Sequence, residues 1–213
     1  MDTWNQIVAL RTELAAQLER LAPTDWDAPS LCAGWRVRDV VAHLTLPAHF
    51  SPLGGLTGLI RSGFSLDMFI QQDAIRRGSA PVAEVLAEFR SAIPHESVPP
   101  KRRPANVLAD LAIHCQDIRR PLGVSWSFDP EVLQTVAQTV HADTGLGVPA
   151  RVVGLRLHAV DVPWDAGDGA EVAGPLEALV LAMAGRTVAV TELGGPGADT
   201  FGERIGARDA SHT

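Results

Sequence analysis

Apolar positions recur through the first two thirds of the chain at helical spacing, and parts of the last third alternate as strands do. Ile7, Leu10, Leu14, Leu18 and Leu21 lie three or four residues apart and predict a helix over 3–21, with Asp2 or Thr3 as its N-cap. Pro23-Thr24-Asp25-Trp26 and Asp27-Ala28-Pro29 break it. Val37, Val40, Val41 and Leu44 have the i, i+3, i+4, i+7 spacing of a buried face and predict a helix over 36–48. Leu66, Phe69, Ile70 and Ala74 point inward from a helix over 65–77, which stops at Arg76-Arg77-Gly78. Pro81 opens a helix to 93 with Val82, Val85, Leu86 and Phe89 on one face. Residues 94–104 carry four prolines and read as a loop. A helix over 105–120 follows and ends at Pro121-Leu122-Gly123. Asp129-Pro130-Glu131 supplies an N-cap, a first-turn proline and an early acid for a helix to 143.

The character changes at Gly145–Pro149, so the expected domains are 1–147, a helical bundle, and 148–213, a small α+β unit. Residues 151–160 alternate and are β-branched, the pattern of a strand. Val162–Ala166 and Ala170–Gly174 read as two more short strands. Pro175 to Gly185 is a helix, and Pro196 to Ile205 is a last one before a fraying tail. Thr187, Val188 and Val190 favour a strand over 186–193. The glycines at 54, 55, 58 and 63 interrupt an apolar run that includes Leu56, Leu59 and Ile60, which predicts short helical pieces there.

Composition narrows the function classes. At 46% hydrophobic and 20% charged residues the chain is an ordinary globular protein. Its net charge of −7 disfavours general binding to nucleic acid or anionic membranes. It shows no signal segment and no apolar run of about 18 residues, so a cytoplasmic location is expected. Cys32 and Cys115 do not form a disulfide framework, and both read as small buried side chains rather than nucleophiles.

Candidate chemistry gathers on two helices. Asp110, His114 and Asp117 share one face of the helix over 105–120. That face is either polar and solvated or a metal site, since imidazole and carboxylate are ordinary zinc ligands. His43 lies at the edge of the apolar face of the helix over 36–48. One histidine there, with Asp110 and His114, makes three ligands and leaves a fourth position open for chemistry. Asp39, in the first turn of its helix, reads as a dipole partner rather than a ligand.

Three stretches carry a resemblance. They are Leu31-Cys32-Ala33-Gly34-Trp35 with Val37-Arg38-Asp39-Val40-Val41-Ala42-His43-Leu44, then His114-Cys115-Gln116-Asp117-Ile118-Arg119-Arg120-Pro121-Leu122-Gly123, and Gly174-Pro175-Leu176-Glu177-Ala178-Leu179-Val180-Leu181-Ala182-Met183-Ala184-Gly185-Arg186. The chain resembles the mycothiol-dependent maleylpyruvate isomerase family of actinobacteria, within the wider group of DinB-like metal-binding four-helix bundles. A single lysine, Lys101, among many arginines agrees with GC-rich codons and that origin.

The resemblance implies an α+β protein whose DinB-like bundle binds zinc through His43, Asp110 and His114. The characterised isomerases carry glutamate where this chain has Asp110. The resemblance also implies a short helix after Gly185, against the strand propensity there. The cosubstrate it implies is mycothiol, a small thiol that zinc converts to thiolate. The thiolate would add to the double bond of a substrate such as maleylpyruvate, or displace a leaving group. Asp117 is either a group behind the ligands that orients one of them or a carboxylate paired with Arg38 or Arg120. Arg119 and Arg120 are candidate contacts for an anionic substrate, against the plainer reading of solvated cations. A non-catalytic metal-binding or regulatory member of the family is the alternative. Neither reading involves nucleic acid or membrane, and either suits a monomer or a homodimer.

Overall fold

The computed structural model describes residues 2–49, 57, 58, 60 and 62–209. Most of the glycine-rich stretch expected to form helical pieces lies outside these residues, as does the tail from 210 with His212. The chain divides into two compact units, Met1–Trp126 and Ser127–Thr213.

The first unit is helical, as the period of its apolar positions requires. It contains α1 (Thr3–Leu18), a 3-10 turn at Asp25–Asp27, α2 (Val37–Leu44), α3 (Leu46–His49), α4 (Leu66–Gly78), α5 (Val82–Ala92) and α6 (Pro104–Arg119). α1 packs on α5 and α6, and α2 packs on α4, α5 and α6. Ile7, Leu14, Leu18, Val40, Val41, Phe89 and Leu108 fill the core. Arg11 is buried, and its Nη1 donates to the carbonyls of Ala92, Ile93 and His95 at 3.0, 3.2 and 2.9 Å. It thereby satisfies acceptors that the end of α5 would otherwise leave unpaired.

α4 departs from expectation at its beginning. Ala74 is buried, but Phe69 and Ile70 are half-buried and Leu66 is exposed. The helix meets α2 through small residues at its C-terminal end. A Cβ on Gly78 would stand 2.2 Å from Asp39 Oδ1 and 2.8 Å from Asp39 Cα. That carboxylate cannot swing away, because it accepts from the Arg36 backbone N–H at 2.9 Å, from Nε at 3.0 Å and from Nη2 at 2.9 Å. Asp39 therefore serves the first turn of α2, as expected. Gly78→Ala should destabilise the fold by about 1–3 kcal/mol through overpacking. The midpoint of urea unfolding measures this, and an unchanged midpoint would show that α4 yields freely.

The second unit holds α7 (Pro130–His141), α8 (Val148–Val152), β1 (Leu155–Ala159), β2 (Asp165–Ala166), β3 (Ala170–Gly174), α9 (Leu176–Met183), a 3-10 helix (Thr187–Glu192) and α10 (Ala198–Asp209). Its sheet has the order β2-β1-β3. β1 and β3 run parallel with Leu157 opposite Val172, and β2 pairs antiparallel with His158 opposite Asp165. α9 is apolar on nearly every side and is buried in the centre of the unit. The division at Trp126/Ser127 replaces the boundary expected at 147/148. Leu133, Val136, Ala137 and Val140 of α7 are buried, and that helix packs on α9. The strand expected over 151–160 begins only at Leu155. Gly147, at φ +70°, and Pro149 start a short helix first. Residues 187–192 form the short helical piece, not the strand.

Candidate metal centre

α6 begins with a first-turn proline, and Asn106 Oδ1 accepts the Arg103 N–H at 3.0 Å. At about 100° per residue, Asp110 and Asp117 lie about 40° and 60° round the helix from His114, on the same side. This face is not solvated. His114 and Asp117 are buried, and only Asp110 remains half-exposed.

α2 brings His43 to the same place. His43 Nε2 is 3.8 Å from Asp110 Oδ2, and His114 Nε2 is 3.6 Å from Asp110 Oδ1. Both distances are too long for a hydrogen bond. One donor atom from each residue lies within 4.8 Å of the other two. Zinc bonds of about 2.0–2.2 Å in a tetrahedron would set ligand atoms roughly 3.4 Å apart, so this donor set fits one divalent ion after a small contraction. The imidazoles meet edge to face, with centroids 4.9 Å apart.

Behind His114, Nδ1 pairs with Asp117 Oδ2 at 2.8 Å. Asp117 has no exposed side-chain surface. A buried carboxylate on one ring nitrogen fixes the tautomer and leaves the other nitrogen free for a metal. Asp117 is thus positioned to orient His114. Cys32 Sγ donates to the same oxygen at 3.1 Å and lies 3.6 Å from His114 Nδ1. Cys32, His114 and Asp117 form a second group of potential ligands. Their 2.8 Å and 3.1 Å separations are those of hydrogen bonds rather than of donors around an ion. Asp117→Ala should weaken zinc affinity about 10- to 100-fold. Competition with a chromophoric chelator measures this, and parent-like affinity would remove Asp117 from the site.

Burial pushes His43 down to about 4, against the pull of Asp110. Burial acts the same way on His114, but Asp110, Cys32 and Asp117 outweigh it and hold that imidazole well above its ordinary value. Asp110 and Asp117 thus favour positive charge at His114, and a metal ion there would have to displace a proton from the ring.

Two residues at the centre escaped sequence reasoning. Cys32 is half-buried at the cluster, whereas burial pushes the Cys115 thiol far up and leaves it inert. Trp35 lies 5.2 Å from the His43 ring and 6.3 Å from the His114 ring, so it walls the site. Both sit on the loop before α2. That loop is tied to α6 by the Leu31 N–H donating to the Asp117 carbonyl at 3.0 Å. It turns at Gly34, φ +76°, a conformation that suits glycine. The only signal in the sequence was the Leu31–Trp35 match to the family, since a loop has no periodicity.

The structure does not bring the two candidate arginines to the cluster. Arg119 and Arg120 lie about 140° and 120° round the helix from His114, on opposite sides. Arg119 Nη1 donates to the Val124 carbonyl at 3.2 Å, and its side chain lines a small apolar cleft with Leu14, Leu18 and Trp126. Arg120 Nε donates to Gln116 Oε1 at 3.4 Å.

The fold and this cluster define a helical bundle with a potential metal centre, joined in sequence to a small α+β unit. Residues 7–53 match the family model described as "Mycothiol maleylpyruvate isomerase N-terminal domain". Two crystal structures share the fold. One is a histidine-to-alanine mutant of the mycothiol-dependent maleylpyruvate isomerase, with a TM-score of 0.60, 15% identity and coverage of 91% of this chain and 92% of the other. The second is the mycothiol-dependent maleylpyruvate isomerase, with a TM-score of 0.54, 16% identity and coverage of 86% of this chain and 89% of the other. No curated protein matches the chain. The chain thus carries a match to that family's N-terminal domain over residues 7–53 and shares the fold of the two isomerase structures along most of its length. No helix among the described residues is long and apolar enough to cross a membrane.

Proposed function

We propose that the protein is an enzyme that holds a divalent metal, zinc, on His43, Asp110 and His114 and uses it to activate a low-molecular-weight thiol, mycothiol. The thiol acts on a small electrophile, either isomerising a substrate such as maleylpyruvate or being transferred to it. The observation that carries this reading is the approach of two largely buried imidazoles and the half-exposed Asp110 carboxylate to within 4.8 Å of one another. The match of residues 7–53 to the family's N-terminal domain, and the fold shared with the two isomerase structures, support the choice of thiol and substrate class.

Bound zinc supplies one effect: it favours the thiolate over the thiol, whose ordinary pKa of about 8.5 leaves little thiolate at neutral pH. The rest is the work of the chain. Asp117 holds His114 in the tautomer that presents Nε2. Trp35 shields one side of the two imidazoles from water. The half-exposed Asp110 leaves an approach open from solvent. In isomerisation, the thiolate sulfur adds to one carbon of a conjugated double bond, the resulting single bond rotates, and the sulfur leaves again. The thiol is regenerated and no redox partner is needed. In S-transfer, the sulfur displaces a leaving group, which departs with its electron pair.

The test is zinc content together with mycothiol-dependent conversion of maleylpyruvate and loss of thiol against a panel of electrophiles. About one zinc per chain and a rate that requires the thiol are expected. Failure to retain zinc after loading would overturn the reading. Zinc without thiol turnover would leave a non-catalytic metal-binding protein.

A further inference from the structure

His43 and His114 are supported unequally. His114 Nδ1 has Asp117, whereas His43 Nδ1 is buried with no hydrogen-bond partner. An unpaired buried N–H is costly, and an unfixed tautomer spends part of its time with the proton on Nε2, where a metal cannot bind. Asp110 cannot help, because it faces Nε2.

A second buried atom without a hydrogen bond is Asp73 Oδ2 on α4. Asp73 Oδ1 takes the exposed Arg76 guanidinium, while Oδ2 has only Arg77 Nη1 at 3.6 Å, beyond hydrogen-bond reach. The two orphans lie on helices that pack together, with Asp39 against Gly78. Arg77 links their neighbourhoods: its Nη2 donates to Thr45 Oγ1, two residues beyond His43, and its Nη1 lies 3.6 Å from Asp73 Oδ2. The surroundings of His43 agree. Asp110, Asp73, His114 and Arg77 are the charged and titratable groups acting on it, and Asp73 opposes the effect of burial.

We propose that Asp73 is the positioning residue for His43: Oδ2 accepts the Nδ1–H through one bridging water and fixes the tautomer that leaves Nε2 free. Asp73 would then do for the histidine of α2 what Asp117 does for the histidine of α6. The consequence for metal binding rests on the function proposed above. The tautomer does not, and it can be read independently.

The experiment combines long-range ¹H–¹⁵N spectra of the histidine rings in chelator-treated protein with zinc affinity from chelator competition. In the parent, His43 should carry its proton on Nδ1. Asp73→Ala should give mixed tautomers and bind zinc about 10- to 100-fold more weakly. Asp73→Asn, whose side-chain oxygen still accepts, should restore most of both and also guards against a folding defect. Arg76→Gln breaks only the surface pair and should change neither readout. A parent His43 protonated on Nε2, or an Asp73→Ala variant with parent tautomer and affinity, would overturn the proposal. If the parent binds no zinc but the tautomers behave as expected, the metal function fails and the positioning role stands.

Discussion

Replacing His114 by alanine should strip the protein of zinc and slow thiol-dependent turnover at pH 7 at least about thirtyfold. The lower bound comes from the thiol itself. With a pKa of about 8.5, roughly 3% is thiolate at pH 7, so loss of metal-assisted deprotonation alone accounts for that factor. Lost orientation of the thiol adds to it. His43→Ala should lose zinc and turnover in the same way. The two variants should part in stability. His114→Ala leaves Asp117, which has no exposed side-chain surface, without its imidazole. Breaking a buried pair outright costs about 3–5 kcal/mol, and the Cys32 thiol that stays on Asp117 Oδ2 keeps the loss below that. His43→Ala breaks no direct pair with a buried carboxylate, because Asp110 is half-exposed and Asp73 keeps Arg76 and Arg77. Metal content, turnover and thermal unfolding of both variants check this. Zinc retained by either variant would show that its histidine is not a ligand.

The parts of the site that obey a period were legible in the sequence. Asp110, His114 and Asp117 had to share a face once residues 104–119 formed a helix, and the stripe from Val37 to Leu44 put His43 at the edge of a core-facing helix. Which way a side chain turns beyond a helix end depends on tertiary contacts instead. Arg119 and Arg120, adjacent to the metal helix in sequence, bond to Val124 and Gln116 because the helix carries them away from the His114 face. Cys32 and Trp35 reach the centre through one backbone bond from Leu31 to α6, which no local pattern encodes. The domain boundary was misjudged for a related reason. The apolar stripe of α7 shows that one face is buried but not against which core, and α9 supplies the partner. Leu66 teaches the converse, since an apolar residue at the right spacing can still lie exposed.

Asp110 is expected to decide whether the cluster is a metal centre at all. Its two oxygens are divided between the histidines, Oδ2 toward His43 and Oδ1 toward His114, at 3.8 and 3.6 Å. An aspartate is one methylene shorter than the glutamate of the characterised isomerases, yet carboxylate–zinc bonds of about 2.0–2.2 Å are open to either if the helices approach slightly. Asp110→Ala should therefore lower zinc affinity by more than the roughly 10- to 100-fold that a supporting residue costs, and activity should fall with it. Because the side chain is half-exposed, the fold should hardly notice, so lost metal will not be confused with lost structure. Asp110→Glu should keep zinc with altered affinity. Asp110→Asn, with the shape but not the charge, should behave more like alanine than like glutamate. The measurements are zinc affinity by chelator competition, thiol-dependent rate and unfolding midpoint for the three variants beside the parent. Full zinc occupancy in Asp110→Ala would show that the carboxylate is not a ligand. Water would then have to complete the shell begun by His43 and His114, since Asp117 and Cys32 meet His114 at Nδ1, the ring nitrogen turned away from Asp110.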